Sequence, residues 1–178
     1  NTGFGTRALF LNGFNSGGNQ VNTIDYVTIA SLGNAQDFGD STYKAFQDSV
    51  CSSRTRSFIM GGAMAAQQTE DISTNVFSSL GNGVKFGELT DKNYGNKGLS
   101  DATRGISAGG EGPSTSAGIN LMEYITMAST GEAKDFGDIT AGLRIGLFST
   151  MNTTRGIYAG GRTASPGTVA LHNTIDYV

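Results

Sequence analysis

The hexapeptide Asn-Thr-Ile-Asp-Tyr-Val occurs twice without change, at Asn22–Val27 and at Asn173–Val178. Two degraded copies lie between them, around Ile72 and around Met122. The chain is therefore a tandem repeat with a period near 50 residues. Periods of this size are typical of propellers, solenoids and other repeat arrays, so this repeat constrains the fold more than any other feature does.

Three landmarks recur in the same order: an arginine five residues before a Gly-Gly or Asn-Gly pair, an apolar run, and the tripeptide Phe-Gly-acid. The arginines are Arg7, Arg56, Arg104 and Arg155, and the phenylalanines are Phe38, Phe86 and Phe136. These landmarks predict a single repeat domain over residues 1–178, with units at approximately 1–40, 41–88, 89–138 and 139–178.

The spacing between landmarks is fixed in one part of the unit and variable in another. Ile24 precedes Phe38 by the same number of positions as Ile72 precedes Phe86, whereas the separation between the glycine pair and the apolar run differs in every unit. Variable length is typical of a surface loop, and such loops often carry binding residues. The candidates in these loops are Phe14, Gln67, Glu111 and His172.

The composition favours strands. Only 15% of the residues are charged, glycine is abundant at 27 residues and proline is scarce at 2. Runs rich in Thr, Ile, Val, Tyr and Phe alternate with Gly, Asn and Ser, which is typical of short strands. We predict an all-β chain with four antiparallel strands per unit. In the third unit, residues 89–99 form the first strand and the segment that leads into it, and the other strands cover 103–108, 121–128 and 134–139.

The repeat resembles a known family. The sequence Thr-Arg-Gly-Ile-x-Ala-Gly-Gly at Thr103–Gly110 and Thr154–Gly161, together with Asn-Thr-Ile-Asp-Tyr and Asp-Phe-Gly-Asp, resembles the kelch-like repeats of tail-fibre and other virion proteins of phages, including cyanobacterial ones. The resemblance implies kelch-like β-propeller units, about three and a half four-stranded antiparallel blades.

The resemblance also implies a function. It favours a non-enzymatic structural or adhesion component of a virus particle, associated with the tail or fibre and located in the virion. The implied partners are other virion proteins or copies of the chain itself, with a host-surface glycan or protein as a further ligand. The alternative is a bacterial kelch-type protein-interaction module in the cytoplasm or at the cell surface.

The repeated residues are expected to have structural roles. The phenylalanines are expected to be buried in equivalent places between sheets. Each arginine is expected to bond a carbonyl or a carboxylate, with Asp40, Glu88 and Asp138 as candidate partners. A ring of arginines that binds anions is the alternative function for this series.

Catalysis and cofactors are not expected. His172 is the only histidine and is interpreted as a solvated loop residue; Cys51 is the only cysteine and is interpreted as a small buried residue. Asp25, Glu123 and Asp176 recur at one phase and could suggest calcium, but no dense oxygen-ligand loop accompanies them. We therefore predict no catalytic residue, no cofactor and no metal.

Charge and hydropathy exclude two further classes of partner. The net charge of −3 argues against a nucleic-acid surface, which is normally basic. No window of 18 apolar residues exists, so no membrane span is expected.

Both end units are incomplete, so they are expected to need partners. The sequence begins at Asn1 rather than Met, which suggests a processed chain or a piece of a longer one. Several chains could close a ring, the four units could close a small one, or the chain could belong to a larger array. In the first and third cases the contacts should centre on residues 1–13 and 171–178.

Overall fold

The computed structural model describes residues 6–65, 67–113, 118–140, 143–163 and 169–178. Within these ranges the chain forms strands and turns and no helix, which confirms the prediction of an all-β protein. The strands are β1 (Arg7–Phe14), β2 (Gln20–Thr28), β3 (Gln36–Asp40), β4 (Ser49–Ser52), β5 (Arg56–Met60), β6 (Asp71–Val76), β7 (Val84–Glu88), β8 (Lys97–Ser100), β9 (Arg104–Ala108), β10 (Leu121–Thr126), β11 (Lys134–Asp138), β12 (Arg144–Ile145), β13 (Phe148–Met151), β14 (Gly156–Ala159), β15 (Arg162–Thr163) and β16 (Ile175–Tyr177).

Four antiparallel sheets follow one another along the chain. Sheet 1 is β1-β2-β3, sheet 2 is β4-β5-β6-β7, sheet 3 is β8-β9-β10-β11 and sheet 4 is β13-β14-β16. The short strands β12 and β15 form a separate two-stranded pair. Among the described residues, sheet 1 lacks the first strand of the repeat and sheet 4 lacks the fourth, which is the division expected from the landmarks.

Asx turns join the first two strands of the later sheets. The Asp101 carboxylate accepts hydrogen bonds from the backbone N–H groups of Thr103 and Arg104, both at 2.6 Å. The Asn152 side chain does the same for Thr154 and Arg155, at 2.9 and 2.8 Å. Such turns let a short polar loop reverse the chain, so each repeated arginine comes to lie at or just before the start of a second strand.

The core lies between successive sheets. Between sheets 2 and 3 it contains Phe58 and Phe86, whose rings meet edge to face with centroids 5.0 Å apart, packed against Ile125, Met127 and Ala133. Between sheets 3 and 4 a second cluster contains Leu99, Met122, Ile139, Leu147 and Tyr158. Sheets 2 and 3 therefore each bury one face against the sheet that follows.

Two of the three repeated phenylalanines are buried as predicted, and the third is not. Phe38 and Phe86 are 2% and 3% exposed, whereas Phe136 is 38% exposed. The turn before the fourth strand of the next sheet covers the first two: Gly81 N donates to Phe38 O, and Gly131 N donates to Phe86 O. In the described residues sheet 4 has no fourth strand and hence no such turn to cover Phe136.

The outer faces of sheets 1 and 4 are open. Phe10 in sheet 1 is 57% exposed, although Ile59 and Tyr158, at the same position of sheets 2 and 4, are fully buried. In sheet 4, Ile175 is 66% exposed, although its counterpart Met122 is buried. The four units therefore do not close a small ring, which removes one of the three arrangements that the sequence left open.

Candidate functional site

The glycine pairs lie where the second strand ends and the variable loop begins. Gly61 and Gly62 have φ angles of 65° and 118°, which L side chains rarely adopt. A Cβ atom on Gly61 would also come within 2.7 Å of the Asn93 carbonyl oxygen. The landmark therefore reflects a backbone requirement of the repeat.

These pairs tie each unit to the next one. In the first three pairs, the N–H of the second residue donates to a carbonyl in the connection that precedes the first strand of the following sheet: Gly13 to Ala45 at 3.1 Å, Gly62 to Asn93 at 2.7 Å and Gly110 to Arg144 at 2.8 Å. We call this end of the sheets the loop face; among the described residues it comprises 14–20, 43–48, 61–65, 67–70, 92–96, 109–113, 118–120, 143–147, 160–163 and 169–172.

A buried polar side chain supports the loop face in each of three units. The Tyr43 hydroxyl lies 3.1 Å from the Gly61 carbonyl, Asn93 Nδ2 donates to Gly109 O at 2.9 Å, and Arg144 Nη1 donates to Gly160 O at 2.9 Å. Burial raises the pKa of Tyr43 well above its usual range. The carbonyl of the first glycine of the pair thus accepts a hydrogen bond in three units, from a tyrosine, an asparagine or an arginine. These bonds fix the backbone of the loop face.

Aromatic rings lie on the loop face. Phe14 is 55% exposed and its ring centroid is 4.8 Å from that of Phe46, with the planes tilted by 52°. In the next unit Tyr94 is partly buried, and its backbone is bridged to that of Glu111. Burial, and then the neighbouring Glu111 carboxylate, raise the pKa of Tyr94 to about 12. One unit thus presents the apolar faces of Phe14 and Phe46, and the next places Tyr94 beside the Glu111 carboxylate.

Sequence reasoning missed Phe46 and Tyr94, because only the variable loops were searched for rings. Both residues follow the repeated phenylalanine, Phe38 or Phe86, by eight positions. That fixed spacing is the signal that could have placed them in the connections beside the loops.

The other predicted loop residues occupy different environments. Gln67 is exposed, and its carbonyl accepts a hydrogen bond from Met64 N at 2.7 Å. His172 is partly buried and its Nε2 lies 2.8 Å from Thr163 Oγ1, so it is not the fully solvated residue that the sequence suggested. The structure brings Phe14 next to Phe46, Glu111 next to Tyr94, and His172 next to Thr163.

The arginine series lies at the opposite end of the second strands. Three guanidinium groups stack on the tyrosine of the third strand: Arg7 on Tyr26 at 4.8 Å, Arg104 on Tyr124 at 5.0 Å and Arg155 on Tyr177 at 5.2 Å. In the second unit Thr74 occupies the position of this tyrosine. Thr74 lies opposite Phe58 in the strand pairing, and Arg56 lies opposite Val76, two residues after Thr74.

One arginine also bonds a carbonyl of the next sheet, since Arg7 Nη1 donates to Phe77 O at 2.8 Å. Of the candidate carboxylate partners, Glu88 pairs with Lys85. The main chain of Asp40 bonds Asn82 and Gly83 of the next sheet. Stacking on tyrosine, which the sequence pattern did not predict, is the recurring contact of this series.

The recurring acids of the third strand bond the preceding sheet. Glu123 Oε1 accepts from Thr90 N at 2.7 Å, and Asp176 Oδ1 accepts from Thr140 N at 3.0 Å. Burial raises the pKa of Glu123. Asp25, at the same position of sheet 1, is exposed because no sheet in the described structure precedes it. These acids therefore serve inter-sheet contacts.

Cys51 is buried, and its burial raises the pKa of the thiol to about 12. In the described residues, no group of three or more His, Cys, Asp or Glu side chains is arranged to hold a metal ion. The described part of the chain also contains no helix with the length and hydropathy of a membrane span.

No protein-family model matches the chain, and a search of curated proteins found no match to it.

Proposed function

We propose that this chain is a non-enzymatic structural or adhesion component of a virus particle, associated with the tail or fibre, and that its sheets are blades of a kelch-like propeller array. The resemblance of Thr103–Gly110 and Thr154–Gly161 to phage virion repeats supports the assignment to a virus particle. The observation that carries the proposal is a recurring set of hydrogen bonds between successive sheets. A bond at the loop face joins each of the three successive pairs of sheets, and bonds at the fourth strand join sheet 1 to sheet 2 and sheet 2 to sheet 3.

The packing between sheets supports a blade arrangement. The first strands of neighbouring sheets are separated only by small residues: Ser100 Oγ donates to Ser52 O at 2.8 Å, and a Cβ atom on Gly98 would lie 2.3 Å from Val50 O. Towards the fourth strands the space is filled by large side chains such as Phe58 and Phe86. Sheets that are close at one edge and further apart at the other radiate from an axis, as propeller blades do.

The polar residues that recur have structural partners, which supports a role without catalysis or a cofactor. Glu123 and Asp176 accept backbone hydrogen bonds, and the stacked arginines rest on tyrosines. An enzyme needs polar groups that converge on a substrate pocket, whereas Glu123 and Asp176 bond the neighbouring sheet and the stacked arginines contact tyrosines of their own sheets.

The loop face is the surface that we assign to host attachment. Phe14 and Phe46 present ring surface there, beside backbone fixed by Gly13 and Gly62. A rigid scaffold with loops of variable length is suited to recognise a glycan or a protein on a cell surface. Adhesion of the labelled chain to host cells should fall at least about tenfold with Phe14→Ala, as for a central aromatic contact.

Phe10→Ala is the matched control for this experiment. Phe10 is 57% exposed against 55% for Phe14, but it lies in the middle of β1, away from the loops. Equal adhesion by both variants and the unmodified chain would remove the attachment role while leaving the structural role.

Mass spectrometry of purified particles tests whether the chain is a component of a virus particle. Virus particles from the culture that carries the gene are washed, treated with protease to remove surface contaminants, and digested with trypsin. Peptide 145–155 should be recovered in a fixed ratio to the major virion proteins. Recovery from the host-cell fraction and not from particles would favour the bacterial interaction module and contradict our proposal.

A further inference from the structure

A groove opens between sheets 3 and 4 on the side away from the loop face. Its apolar walls include Leu99, Ile106, Phe136, Met151 and Val178, and Arg104 and Arg155 lie at its rim. Its volume is about 160 Å³. The repeat makes it possible to ask what occupies the same place between the other sheets.

Between sheets 2 and 3 this place is filled. Met127, which follows β10, and Ala133, which precedes β11, are 3% and 6% exposed and pack in the cluster that contains Phe86. Between sheets 1 and 2 Phe77 takes the position of Met127, because Phe77 N donates to Thr55 O just as Met127 N donates to Thr103 O. A large apolar residue directly after the third strand is thus the usual occupant.

Two backbone carbonyl groups beside the groove lack a hydrogen bond that their counterparts in sheet 2 accept, as far as the described residues show. Phe86 O and Glu88 O accept hydrogen bonds from Gly131 N and Ala133 N, at 3.1 and 2.8 Å. The equivalent carbonyls of Phe136 and Asp138 accept no such bond from the described residues. Arg104 is the counterpart of Arg7, which donates to the carbonyl of Phe77, the residue at the position of Met127 between sheets 1 and 2.

The edge of sheet 4 is open next to the same groove. In the part of the chain that the structure describes, β16 pairs with β14 on one side only, whereas β2, β6 and β10 each have a fourth strand on their other side. Val178 N and Gly156 N each donate to the other residue's carbonyl, so the N–H groups of Ile175 and Tyr177 point to the open edge. Tyr177 is 71% exposed along this edge.

We propose that the groove and the β16 edge together form a docking site for an extended segment that carries the fourth-strand pattern of this repeat. The segment adds an antiparallel strand to β16, inserts a methionine- or phenylalanine-sized side chain against Phe136, and bonds the carbonyls of Phe136 and Asp138. This is recognition by β-augmentation, in which main-chain bonds provide affinity and side-chain pockets provide specificity. The inference rests on repeat geometry alone and does not require the chain to belong to a virus.

The probe is a synthetic peptide with the sequence of residues 126–139, which contains the groove residue Met127 and the tripeptide at Phe136. Added to the full 178-residue chain, it should bind saturably in a calorimetric titration and slow the hydrogen exchange of the Ile175 and Tyr177 amides. A peptide with Met127→Ser, or a chain with Tyr177→Pro, should bind at least about tenfold more weakly. Proline is tolerated at an open edge, and circular dichroism checks that this variant is folded.

Leu32→Ser is the control variant of the chain, because Leu32 is fully exposed in a loop of sheet 1 and should leave binding unchanged. Equal binding of the parent and Met127→Ser peptides would overturn the proposal. Absence of binding would overturn it as well. A third result would also overturn it: the chain self-associates through β16, as detected by sedimentation, and the peptide does not displace the second copy. The occupant of the edge would then be another copy of the chain.

Discussion

The carbonyl oxygen of Phe86 accepts a hydrogen bond from the backbone N–H of Gly131, 3.1 Å away in the next sheet. Phe38 and Gly81 make the same contact at 2.8 Å between sheets 1 and 2. The turn that precedes a fourth strand is therefore held by the previous sheet as well as by its own. This double attachment explains why the spacing between the apolar run and the phenylalanine does not vary from unit to unit.

Gly87→Ala should disrupt this contact. A Cβ atom on Gly87 would lie 2.0 Å from the Gly131 carbonyl oxygen, and two backbones cannot both keep their places. We expect the free energy of unfolding to fall by about 1–3 kcal/mol, the usual cost of overpacking, in urea denaturation.

Gly112→Ala is the control for that substitution. Its Cβ atom would make an ordinary contact of 3.5 Å with Ile119 Cγ2. We expect a change within about 0.5 kcal/mol, because the added methyl group would displace no neighbouring atom. Similar effects of the two alanines would show that the contact between Gly87 and Gly131 does not hold the sheets together.

Phe86→Ala and Phe136→Ala should have unequal effects on stability. Phe86 is 3% exposed and packs edge to face on Phe58, so its truncation should cost about 3–5 kcal/mol. Phe136 is 38% exposed, so its truncation should cost less than about half as much. Equal losses in chemical denaturation would mean that Phe136 is covered in solution.

The local features of the repeat could be predicted from the sequence. The second, third and fourth strands of the third unit were predicted to within about two residues, because Gly, Asn and Asp turns separate runs rich in Thr, Ile and Phe. The first strand is shorter than the predicted range of 89–99, since it begins only at Lys97. The variable loops were also identified, because a change of length at one point of an otherwise fixed repeat is tolerated only where the chain is exposed. In these cases the information is local in the chain.

Contacts between units could not be predicted in the same way. Asp25 and Asp176 stand in identical hexapeptides, yet the first is exposed and the second is buried, because only sheet 4 has a preceding sheet. Phe136 has the sequence environment of Phe38 and is nevertheless exposed, because the turn that should cover it belongs to the next sheet. The pairing of Phe14 with Phe46 likewise joins a strand end in one unit to a connection in the next.

Asp48 should make stability depend on pH. Burial raises its pKa from the ordinary value of 3.8 to about 6, against the opposing effects of the Asn12 hydrogen bond and the Lys97 charge. The folded state therefore binds a proton more readily than the unfolded chain, and stability falls as the pH rises from about 4 to about 6. Above that range the ionised group costs about 1–3 kcal/mol.

Asp48→Asn should remove this dependence. The amide keeps an oxygen that can accept the hydrogen bond from Asn12 Nδ2, whose present length to Asp48 Oδ2 is 2.8 Å. The variant should be more stable than the parent at pH 7 and nearly equal to it at pH 4, by urea denaturation at several pH values. A parallel pH profile for the two proteins would show that Asp48 keeps an ordinary pKa.

The two identical hexapeptides allow a matched comparison of one substitution. Asp176→Asn leaves the Arg144 guanidinium, which is fully buried and paired with this carboxylate, without its charge partner. Breaking a buried ion pair from one side typically costs about 3–5 kcal/mol. Asp25→Asn changes the same residue in the same local sequence on an open face, so we expect a change within about 0.5 kcal/mol.

Thermal and chemical denaturation of the two variants measure this difference, and a third variant separates charge from packing. Arg144→Met combined with Asp176→Leu removes both charges, so it should recover much of the stability that Asp176→Asn loses. If Asp25→Asn destabilised the protein as strongly as Asp176→Asn, Asp25 would have a partner in solution. The open face of sheet 1 would then be covered, and its partner could be sought by cross-linking at that face.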